Sequence, residues 1–418
     1  MSERQYDIVI AGGGMIGTSL ALALAPLGLR VAVVEAIPRK ESAQPSFDDR
    51  STALSRSTQR MFEAMGLWPE IVAASTPIRA IHVSDQGRFG FSHIDAEEQG
   101  VEALGYVVIN RVLGAVLQSA LDGVDGIDVL CPARIVDVDL EPERATATVE
   151  TEEGREQLHC ALLVAADGAR SAVRDMMGIT AQTSDYGQRA VIGNLLPEKP
   201  VDNVAYERFT PQGPLAILPV ADGRAGFVWT VSESEADRVM GLDDDAFLEE
   251  LQREFGYRLG AFSRVGKRAS YPLVLSKALR LTATRSVLIG NSAHGLHPVS
   301  AQGFNLGMRD VAAIVDCIAD NWGRSTNSPE KCCSDPDFDP AALLARYAEW
   351  RRSDQEKLVR FTDGLVRLFG SDKAPLRALR NVGMLGFDLV PGVRTLFAKH
   401  TMGLAGRLPR LSRGVPVK

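Results

Sequence analysis

The chain has 418 residues, 45% of them hydrophobic and 24% charged, which is long enough for roughly two or three globular domains with substantial cores. Its formal net charge of −7 argues against nucleic acid as the main partner. The odd number and scattered spacing of the cysteines favour a reducing compartment over disulfides or metal binding, so we expect a cytoplasmic protein. These cysteines are Cys131, Cys160, Cys317, Cys332 and Cys333.

Residues 8–29 carry no charge and could be mistaken for a signal peptide or a membrane span. Their glycines, Pro26 and the lack of a clearly basic start argue against both. We predict instead a strand over residues 6–11, a glycine turn, a helix over 18–28 and a second buried strand over 31–35, parallel to the first.

This βαβ unit carries Gly12-x-Gly14-x-x-Gly17, and Glu35 ends the second strand. The glycines permit a tight turn, a close approach to a pyrophosphate and close packing of helix on strand. Glu35 can bind ribose hydroxyls and would repel a 2′-phosphate, so FAD or NAD fits better than NADP. The alternative is a glycine-rich turn in another kind of α/β protein. The predicted dinucleotide contacts here are Gly12, Gly14, Met15, Ile16, Gly17 and Glu35.

The rest of the chain alternates between strand and helix patterns. Residues 50–66 read as a loop and a helix, 81–94 as a hairpin, and 111–121, 244–255 and 303–320 as helices. Strand patterns cover residues 127–131, 135–140, 145–151, 157–166, 203–219, 226–231 and 286–289, a polar insertion covers 322–339, and the remainder reads as helical.

Two of these strands are each followed by a polar residue beside a glycine. Asp167-Gly168 follows one buried strand and Gly290-Asn291 follows another. An aspartate at the carboxyl end of a strand points into the crevice where open α/β sheets bind ligands. For Asp167 alone, a turn that caps a helix is the stronger alternative.

The stretch LIGNSAHGLHPVSAQGFNLG, residues 288–307, draws attention through its histidines and serines. A metal site is disfavoured because no third ligand follows at a suitable spacing, so we expect no metal. A hydrolase is disfavoured because neither serine lies in a G-x-S-x-G pattern. His294 and His297 are weak candidates for a catalytic base, and structural or solvated histidines are the favoured alternatives.

The order and spacing of GGGMIG, ADGARSAVR and GNSAHGLHPVSAQGFNLGMRD resemble the class A flavoprotein aromatic hydroxylases, the p-hydroxybenzoate hydroxylase group. The resemblance implies that the first loop holds the FAD pyrophosphate, that the Asp-Gly serves FAD and NAD(P)H, and that the third segment holds the ribityl chain and flavin ring. The further FAD contacts that it implies are Arg50, Ser51, Arg111, Asp167, Gly168, Gly290, Asn291, Pro298, Gln302, Gly303, Phe304 and Asn305.

A closer resemblance is to the ubiquinone-biosynthesis branch, above all to the 2-polyprenyl-6-methoxyphenol hydroxylases. The segments FDDRSTALS, YERFT with GPLAILP, and GKR followed by YPL carry it across nearly the whole chain. One residue departs from the pattern. The family usually has Gly-Asp where this chain has Gly290-Asn291, and Asn keeps a hydrogen-bonding carbonyl but loses the charge. FAD should still bind, slightly more weakly.

The resemblance implies an α/β fold in which a Rossmann-like FAD-binding domain carries an inserted mixed β-sheet substrate domain and is followed by a C-terminal helical region. We expect the FAD-binding domain at residues 1–75, 105–180 and 283–322. The substrate domain is expected at 76–104 and 181–282, and the helical region at 340–418.

The activity that the resemblance implies is FAD-dependent hydroxylation of the aromatic ring of a polyprenylated methoxyphenol in ubiquinone biosynthesis. NAD(P)H and O₂ are the co-substrates, and the reaction passes through a flavin C4a-hydroperoxide. The helix that begins near Gly303 would stabilise anionic reduced flavin through its positive end. The candidate substrate contacts, for which core packing is the alternative, are Tyr206, Phe209, Leu215, Leu218 and Trp229.

Other functions stay open at this stage. They are a sister ring hydroxylase of the same pathway, a hydroxylase of a soluble phenol and an isoprenoid-binding flavin reductase. A flavin halogenase is disfavoured, because no Trp-x-Trp-x-Ile-Pro segment is present.

The end of the chain is basic and amphipathic. After Asp388 there is no acidic residue, and six Arg or Lys residues alternate with apolar ones. This pattern suits peripheral contact with an anionic membrane or with a ubiquinone-synthesis complex. The alternative is a tail that packs on its own domain. The basic residues are Arg394, Lys399, Arg407, Arg410, Arg413 and Lys418.

Overall fold

Strands in three sheets, with helices on their faces, form the part of the chain that the computed structural model describes: residues 2–38, 50–87, 91–295, 302–322, 338–369 and 393–417. The strands are β1 (Ser2–Ala11), β2 (Val31–Val34), β3 (Ser51–Ser55), β4 (Ser75–Ile78), β5 (Ala80–Asp85), β6 (Phe91–Asp95), β7 (Gly105–Ile109), β8 (Ile127–Leu130), β9 (Ala133–Leu140), β10 (Ala145–Thr151), β11 (Gly154–Ala165), β12 (Ala181–Pro197), β13 (Val204–Thr210), β14 (Gly213–Pro219), β15 (Ala225–Ser232), β16 (Phe262–Val265), β17 (Ala269–Ala278), β18 (Thr282–Ala283), β19 (Ser286–Leu288) and β20 (His294–Gly295). The helices are α1 (Met15–Leu24), α2 (Arg56–Ala64), α3 (Trp68–Ala73), α4 (Asn110–Leu121), α5 (Ala172–Met176), α6 (Glu233–Met240), α7 (Asp244–Phe255), α8 (Gln302–Trp322), α9 (Pro340–Phe369) and α10 (Val393–Thr401).

The first sheet has the strand order β18-β19-β11-β1-β2-β8, and β10 joins β11 to β9 at its side. Strand β1 pairs in parallel with both β2 and β11, and β11 pairs in parallel with β19. The carboxyl ends of these four strands therefore lie at one edge of the sheet. The predicted parallel pairing of the first two strands is confirmed.

Both faces of this sheet are covered, which explains the continuous apolar runs of its central strands. One core lies between the sheet and helices α1, α4, α8 and α9, and contains Ile8, Ile10 and Leu162. A second core, on the other face, contains Val9 and Leu163 and packs against β9, β10 and α5. The uncharged segment of residues 8–29 is thus a strand, a turn and a buried helix, as predicted.

The second sheet has the order β20-β17-β12-β15-β14-β13-β5-β6, with β16 paired to β12. The predicted hairpin is the antiparallel pair β5–β6. Helices α6 and α7 cover one face of this sheet and enclose a core with Phe227, Trp229 and Phe247 at its centre. The long strand β12 was not predicted, because Ser, Asp and Gly interrupt its apolar pattern.

The third sheet, in the order β3-β7-β4, corrects one prediction. The residues before α2 were expected to form a loop, but Ser51–Ser55 is a strand that pairs with Gly105–Ile109. Its small polar residues carry little strand signal by themselves, and pairing with the buried strand β7 supplies the hydrogen bonds.

The described C-terminal residues pack on the rest of the chain. Ala398, Met402, Leu411 and Val417 are buried. The backbone N–H of Arg410 donates to Asp316 Oδ2 at 3.0 Å, and its guanidinium pairs with Asp320. Among the described helices, none combines the length and hydropathy that a membrane span requires. Cys332, Cys333 and most of the predicted insertion at 322–339 lie outside the described residues.

Candidate functional site

The carboxyl ends of the parallel strands bring four predicted loops to one edge of the first sheet. The Gly12 N–H donates to Val34 O at 2.8 Å, and the Ala166 N–H donates to Ala11 O at 2.8 Å. The Ile289 N–H in turn donates to Ala165 O at 3.0 Å. The residues just beyond these bonds, at 12–14, 35, 167–168 and 290–291, therefore border the same crevice, which is where α/β sheets of this kind bind ligands.

The first glycine turn leaves no room for side chains. Gly12 has φ +100°, and a Cβ there would lie 2.6 Å from Ala166 O. A Cβ on Gly17 would lie 1.9 Å from Gly12 O. Helix α1 then begins after Gly14 with no side-chain cap and no acidic residue in its first turn, so its positive end is free for an anion.

Glu35 is oriented by two backbone amides. Its Oε2 accepts from the Gly13 N–H at 2.7 Å, and its Oε1 accepts from the Ile37 N–H at 2.7 Å. A carboxylate has about four acceptor positions, so roughly two remain for ribose hydroxyls. The glycine turn, the free helix end and this carboxylate fit the pyrophosphate and ribose of a dinucleotide.

Asp167 caps the short helix α5. Its carboxylate accepts from the Ser171 hydroxyl and, at 3.1 Å, from the Val173 N–H. Arg174, which is buried, donates to Ala169 O at 3.1 Å and to Ser292 O at 3.3 Å, and so ties this loop to the one after β19. The helix-capping alternative thus describes Asp167 itself, and its contact with FAD stays a prediction.

His294 is held inside a buried polar network around Asp310. The His294 imidazole and the Asp310 carboxylate are 1% and 0% exposed, and Nε2 lies 2.6 Å from Oδ2. The same carboxylate accepts from the Gly290 N–H at 2.9 Å and from Arg351 Nε at 2.7 Å. Gln355 adds a fourth bond at 3.3 Å. This geometry gives His294 a structural role, and we do not propose it as a base.

The charge of Asp310 is stabilised by its partners. Burial alone would raise the pKa of this carboxyl, but the charges and hydrogen bonds of His294 and Arg351 outweigh burial and lower the pKa to about 2. The network was not found in the sequence analysis. A charged residue inside the apolar run of α8 was the available signal, because buried charges are almost always paired.

The other predicted residues of this segment divide into two groups. Asn291 is exposed in a single turn of 3₁₀ helix, at the edge where the parallel strands end. Its effect in place of the family's aspartate stays a prediction. His297 and Pro298 lie outside the described residues.

The start of α8 is fixed to the third sheet by Asn305. Its Oδ1 accepts from the Ser55 N–H and from Thr58 Oγ1, both at 2.8 Å, and its Nδ2 donates to Ala53 O at 2.8 Å. Three hydrogen bonds therefore hold this side chain inside the protein. For Gly303, two residues earlier, no atom of the described residues lies within 4 Å of its Cβ position.

The remaining predicted residues near the start of α8 are Gln302, which is buried and donates to Thr401 O at 3.2 Å, and Phe304, which packs against the first core. Ile16, in α1, packs closely against α8, since a Cβ on Gly307 would lie 2.8 Å from Ile16 Cδ1. Met15 packs against the same core as Phe304.

Pairing in the third sheet brings Arg50, Ser51 and Arg111 into one region. The Asn110 N–H donates to Arg50 O at 2.8 Å, and Ser51 pairs with Ile109. The Arg50 guanidinium lies 4.8 Å from the centroid of the Tyr271 ring, which belongs to the second sheet. The strand β20, which contains His294, pairs with β17 on the same sheet. The predicted flavin neighbours thus lie where the sheets meet.

The predicted substrate contacts lie on both faces of the second sheet. Leu215 and Trp229, 0% and 2% exposed, belong to the core beneath α6 and α7, and Tyr206 packs against the same core. For these residues the structure supports the core-packing alternative, because strand alternation turns them away from the site. Leu218 lies on the opposite face, where it packs beside α10. Phe209 is buried and pairs with Pro214, and the alternation of β13 places its side chain on the same face as Leu218.

The opposite face of the second sheet is less tightly covered. Ile192, Val228, Ala216 and Glu207 are directly paired across four strands and are all only partly buried. Their strand neighbours Ile217, Phe227 and Val191 are buried in the core on the other side. We call this partly open, mainly apolar row, formed by Ile192, Val228, Ala216 and Glu207, the recess of the second sheet.

These features define a dinucleotide-binding α/β protein with a second sheet beside the cofactor edge. Residues 5–323 match the family described as FAD binding domain, and the chain belongs to this family. It is an FAD-dependent flavoprotein monooxygenase, of a class that uses NAD(P)H as co-substrate. The fold class and the family resemblance predicted from the sequence are confirmed.

Relatives of similar length match the whole chain. It is 36% identical to ubiquinone hydroxylase UbiL of Rhodospirillum rubrum, over 100% of this chain and 94% of that protein. It is 29% identical to 3-demethoxyubiquinol 3-hydroxylase of Escherichia coli, over 97% and 100%. The fold is similar to that of the p-nitrophenol 4-monooxygenase PnpA of Pseudomonas putida, with a TM-score of 0.79, 18% identity and coverage of 97% and 100%.

Proposed function

We propose that this chain hydroxylates the aromatic ring of a polyprenylated phenol, a methoxyphenol by resemblance, in ubiquinone biosynthesis. The observation that carries the proposal is whole-length similarity, at 36% identity, to a protein named as a ubiquinone hydroxylase. The partly open, largely apolar face of the second sheet supports it, because a prenylated ring is an apolar ligand with few polar groups.

We propose the same division of labour among domains that the sequence suggested. Residues 1–75, 105–180 and 283–322 would hold FAD, residues 76–104 and 181–282 would hold the substrate, and residues 340–418 would form the C-terminal helical region. The sheet memberships support this division, apart from β4, which joins the third sheet, and β20, which joins the second.

The residues that fit FAD act by positioning it. The backbone of the Gly12–Gly17 turn would bind the pyrophosphate at the start of α1, and Glu35 would accept from the ribose. Asp167, Gly290, Asn291 and the start of α8 would border the rest of the cofactor. Bound FAD supplies reduction by NAD(P)H and activation of O₂.

The structural network has a positioning role in this scheme. Asp310 holds the Gly290 N–H and His294, and thereby fixes the loop that follows β19. Arg174 holds the same loop from the side of Asp167. Loops held in this way keep the cofactor and the substrate ring in one geometry, which is a large part of what the protein contributes to a flavin reaction.

The test is oxygen uptake by the purified, FAD-loaded protein with NADH or NADPH. A short-chain prenylphenol should stimulate uptake and yield a product with one added oxygen atom, detected by mass spectrometry. A phenol without the prenyl chain is the matched control. Better turnover of the unprenylated phenol would favour the soluble-substrate alternative, and NAD(P)H oxidation without oxygenated product would favour the reductase alternative. Quinone precursors that accumulate in a deletion strain would identify the ring position.

We also propose peripheral contact with an anionic membrane through the C-terminal region. The exposed side chains of Lys399, Arg407 and Arg413 support an electrostatic contact. The burial of Met402 and Leu411 leaves less apolar surface for insertion than the sequence pattern suggested. Flotation with anionic but not neutral liposomes, weakened by salt and by removal of residues 393–418, is the expected result. Equal flotation with and without these residues would refute the contact.

A further inference from the structure

A carboxyl group that has no partner among the described residues lies in the recess of the second sheet. Glu207 is on β13, directly paired with Ala216, and Val228 and Ile192 continue the same row. On the other side of β13, Glu207 pairs with Val83 of β5. Ala216, Val228, Ile192 and Val83 are all apolar, so the carboxylate interrupts a mainly hydrophobic row.

Glu207 is deep in the protein and yet accessible. Burial alone raises the pKa of its carboxyl to about 7, and no charge or hydrogen bond contributes to that change. The side chain nevertheless keeps part of its surface exposed. Among the described residues none gives this carboxylate a hydrogen bond or an ion pair, so its partly exposed oxygens can still accept from a bound molecule.

The recess extends toward the cofactor edge. Farther along the same face, a Cβ on Gly226 would lie 3.0 Å from Ser51 Oγ. Arg50 covers Tyr271 on the strand beyond Ile192. Both Arg50 and Ser51 were predicted to lie near the flavin. A ring bound along the row could therefore place its hydroxyl at Glu207 and still reach the residues predicted to surround the flavin.

Resting on the function proposed above, we propose that Glu207 accepts a hydrogen bond from the ring hydroxyl of the substrate and acts as the base of the hydroxylation. The O–H bond breaks, its electron pair stays on the ring oxygen, and the proton moves to the carboxylate. The added negative charge makes the ring a better nucleophile toward the oxygen atom that O₂ supplies through the cofactor. The carboxylic acid returns the proton to water after the product leaves.

The sign of the pH dependence follows from the form that acts. The carboxylate is the proton acceptor, so hydroxylation should be full above a pH of about 7 and should decline as the pH falls through that value. The same charge is costly to hold in an apolar recess without a partner. A group retained under that cost is a candidate for function.

The experiment compares Glu207→Gln with Glu249→Gln, which removes a carboxylate from an exposed position on α7. Both are assayed as FAD-loaded proteins with a short-chain prenylphenol between pH 5.5 and 9, values chosen to bracket about 7. We expect Glu207→Gln to lower hydroxylated product per NAD(P)H about 100-fold and to abolish the acidic limb of the kcat/KM profile. Glu249→Gln should match the wild type in both readouts.

Two further measurements separate a base from a structural residue. A ring-fluorinated prenylphenol, whose hydroxyl ionises more readily, should recover much of the loss in Glu207→Gln, and Glu207→Asp should keep an acidic limb. If Glu207→Gln does not fold, the fluorinated substrate should still flatten the acidic limb of the wild-type profile. An unchanged product yield and pH profile in Glu207→Gln, or a fluorinated substrate that leaves the limb unchanged, would overturn the proposal. A wild-type enzyme that oxygenates no prenylphenol would overturn the proposed function and this role together.

Discussion

The substitution Asp310→Asn removes one charge from the buried network and keeps the size of the side chain. Asp310 accepts from Gly290, His294, Arg351 and Gln355. Asparagine has one acceptor oxygen with about two positions, and its NH₂ group would face groups that are themselves donors. At least two of the four donors would lose their partner.

Two estimates bound the resulting loss of stability. The difference between the ordinary pKa of 3.8 and the value of about 2 corresponds to about 2 kcal/mol in favour of the charged form. Removing one partner of a buried ion pair costs about 3–5 kcal/mol, because Arg351 would stay buried with half of its charge compensation gone. We expect Asp310→Asn to lower the free energy of unfolding by about 2–5 kcal/mol.

Urea unfolding followed by circular dichroism measures this effect, and retention of FAD on a desalting column measures its consequence for the site. Asp320→Asn is the matched control on the same helix, because Asp320 pairs with Arg346 and Arg410 at a partly exposed position. That variant should lose less than about 1 kcal/mol. Equal losses in the two variants would refute the reasoning about the buried network.

The pH dependence gives a second check on the same residue. The folded pKa of Asp310 is below its unfolded value, so its contribution to stability is complete above about pH 4 and is lost as the pH falls toward 2. The wild type should therefore lose stability over this interval more steeply than Asp310→Asn. Parallel curves for the two proteins would contradict the assignment.

The remaining predictions concern three other positions. Gly17→Ala places a Cβ 1.9 Å from Gly12 O, so the amount of FAD bound per chain should fall sharply. The control Gly266→Ala, whose nearest contact would be at 3.6 Å, should bind as much FAD as the wild type, and equal FAD contents in the two variants would contradict the packing argument. Asn305→Ala removes two hydrogen bonds from α8 to strand β3 and one to helix α2, and should lower the free energy of unfolding in urea by at least about 2 kcal/mol. A loss below about 1 kcal/mol would count against that role. Glu207→Gln should be more stable than the wild type by up to about 3 kcal/mol at pH 8 and as stable as the wild type at pH 4, because burial penalises only the charged form of Glu207. Equal stability of the two proteins at pH 8 would show that the carboxylate is well solvated.

The glycine turn is a part of the structure that the local sequence pattern predicts. Each feature of this turn meets a local structural requirement. Gly12 has a positive φ, Gly17 lets the helix pack against its own strand, and Glu35 places a carboxylate at the end of the next strand. Such demands act within a few residues or between adjacent parallel strands. The sequence alone therefore predicts them.

The pairing of Asp310 with His294 is a part of the structure that the local sequence pattern does not predict. His294 attracted attention because histidine is a common catalytic group, yet its partner Asp310 is 16 residues away, and two further partners of that carboxylate, Arg351 and Gln355, come from α9. No sequence pattern near His294 predicts that Arg351 binds the same carboxylate. Pairing of this kind depends on which helices the fold brings together.

The sequence by itself determined the family and the class of cofactor and predicted the edge at which the cofactor would bind, because backbone geometry and strand order impose residue types that recur in fixed order. Only the tertiary structure decided which face of the second sheet is core and which is recess. Leu215 and Glu207 belong to neighbouring strands of similar pattern, and packing of α6 and α7 against one face buries the first and leaves the second accessible. The unpaired carboxylate became a candidate base only through that placement.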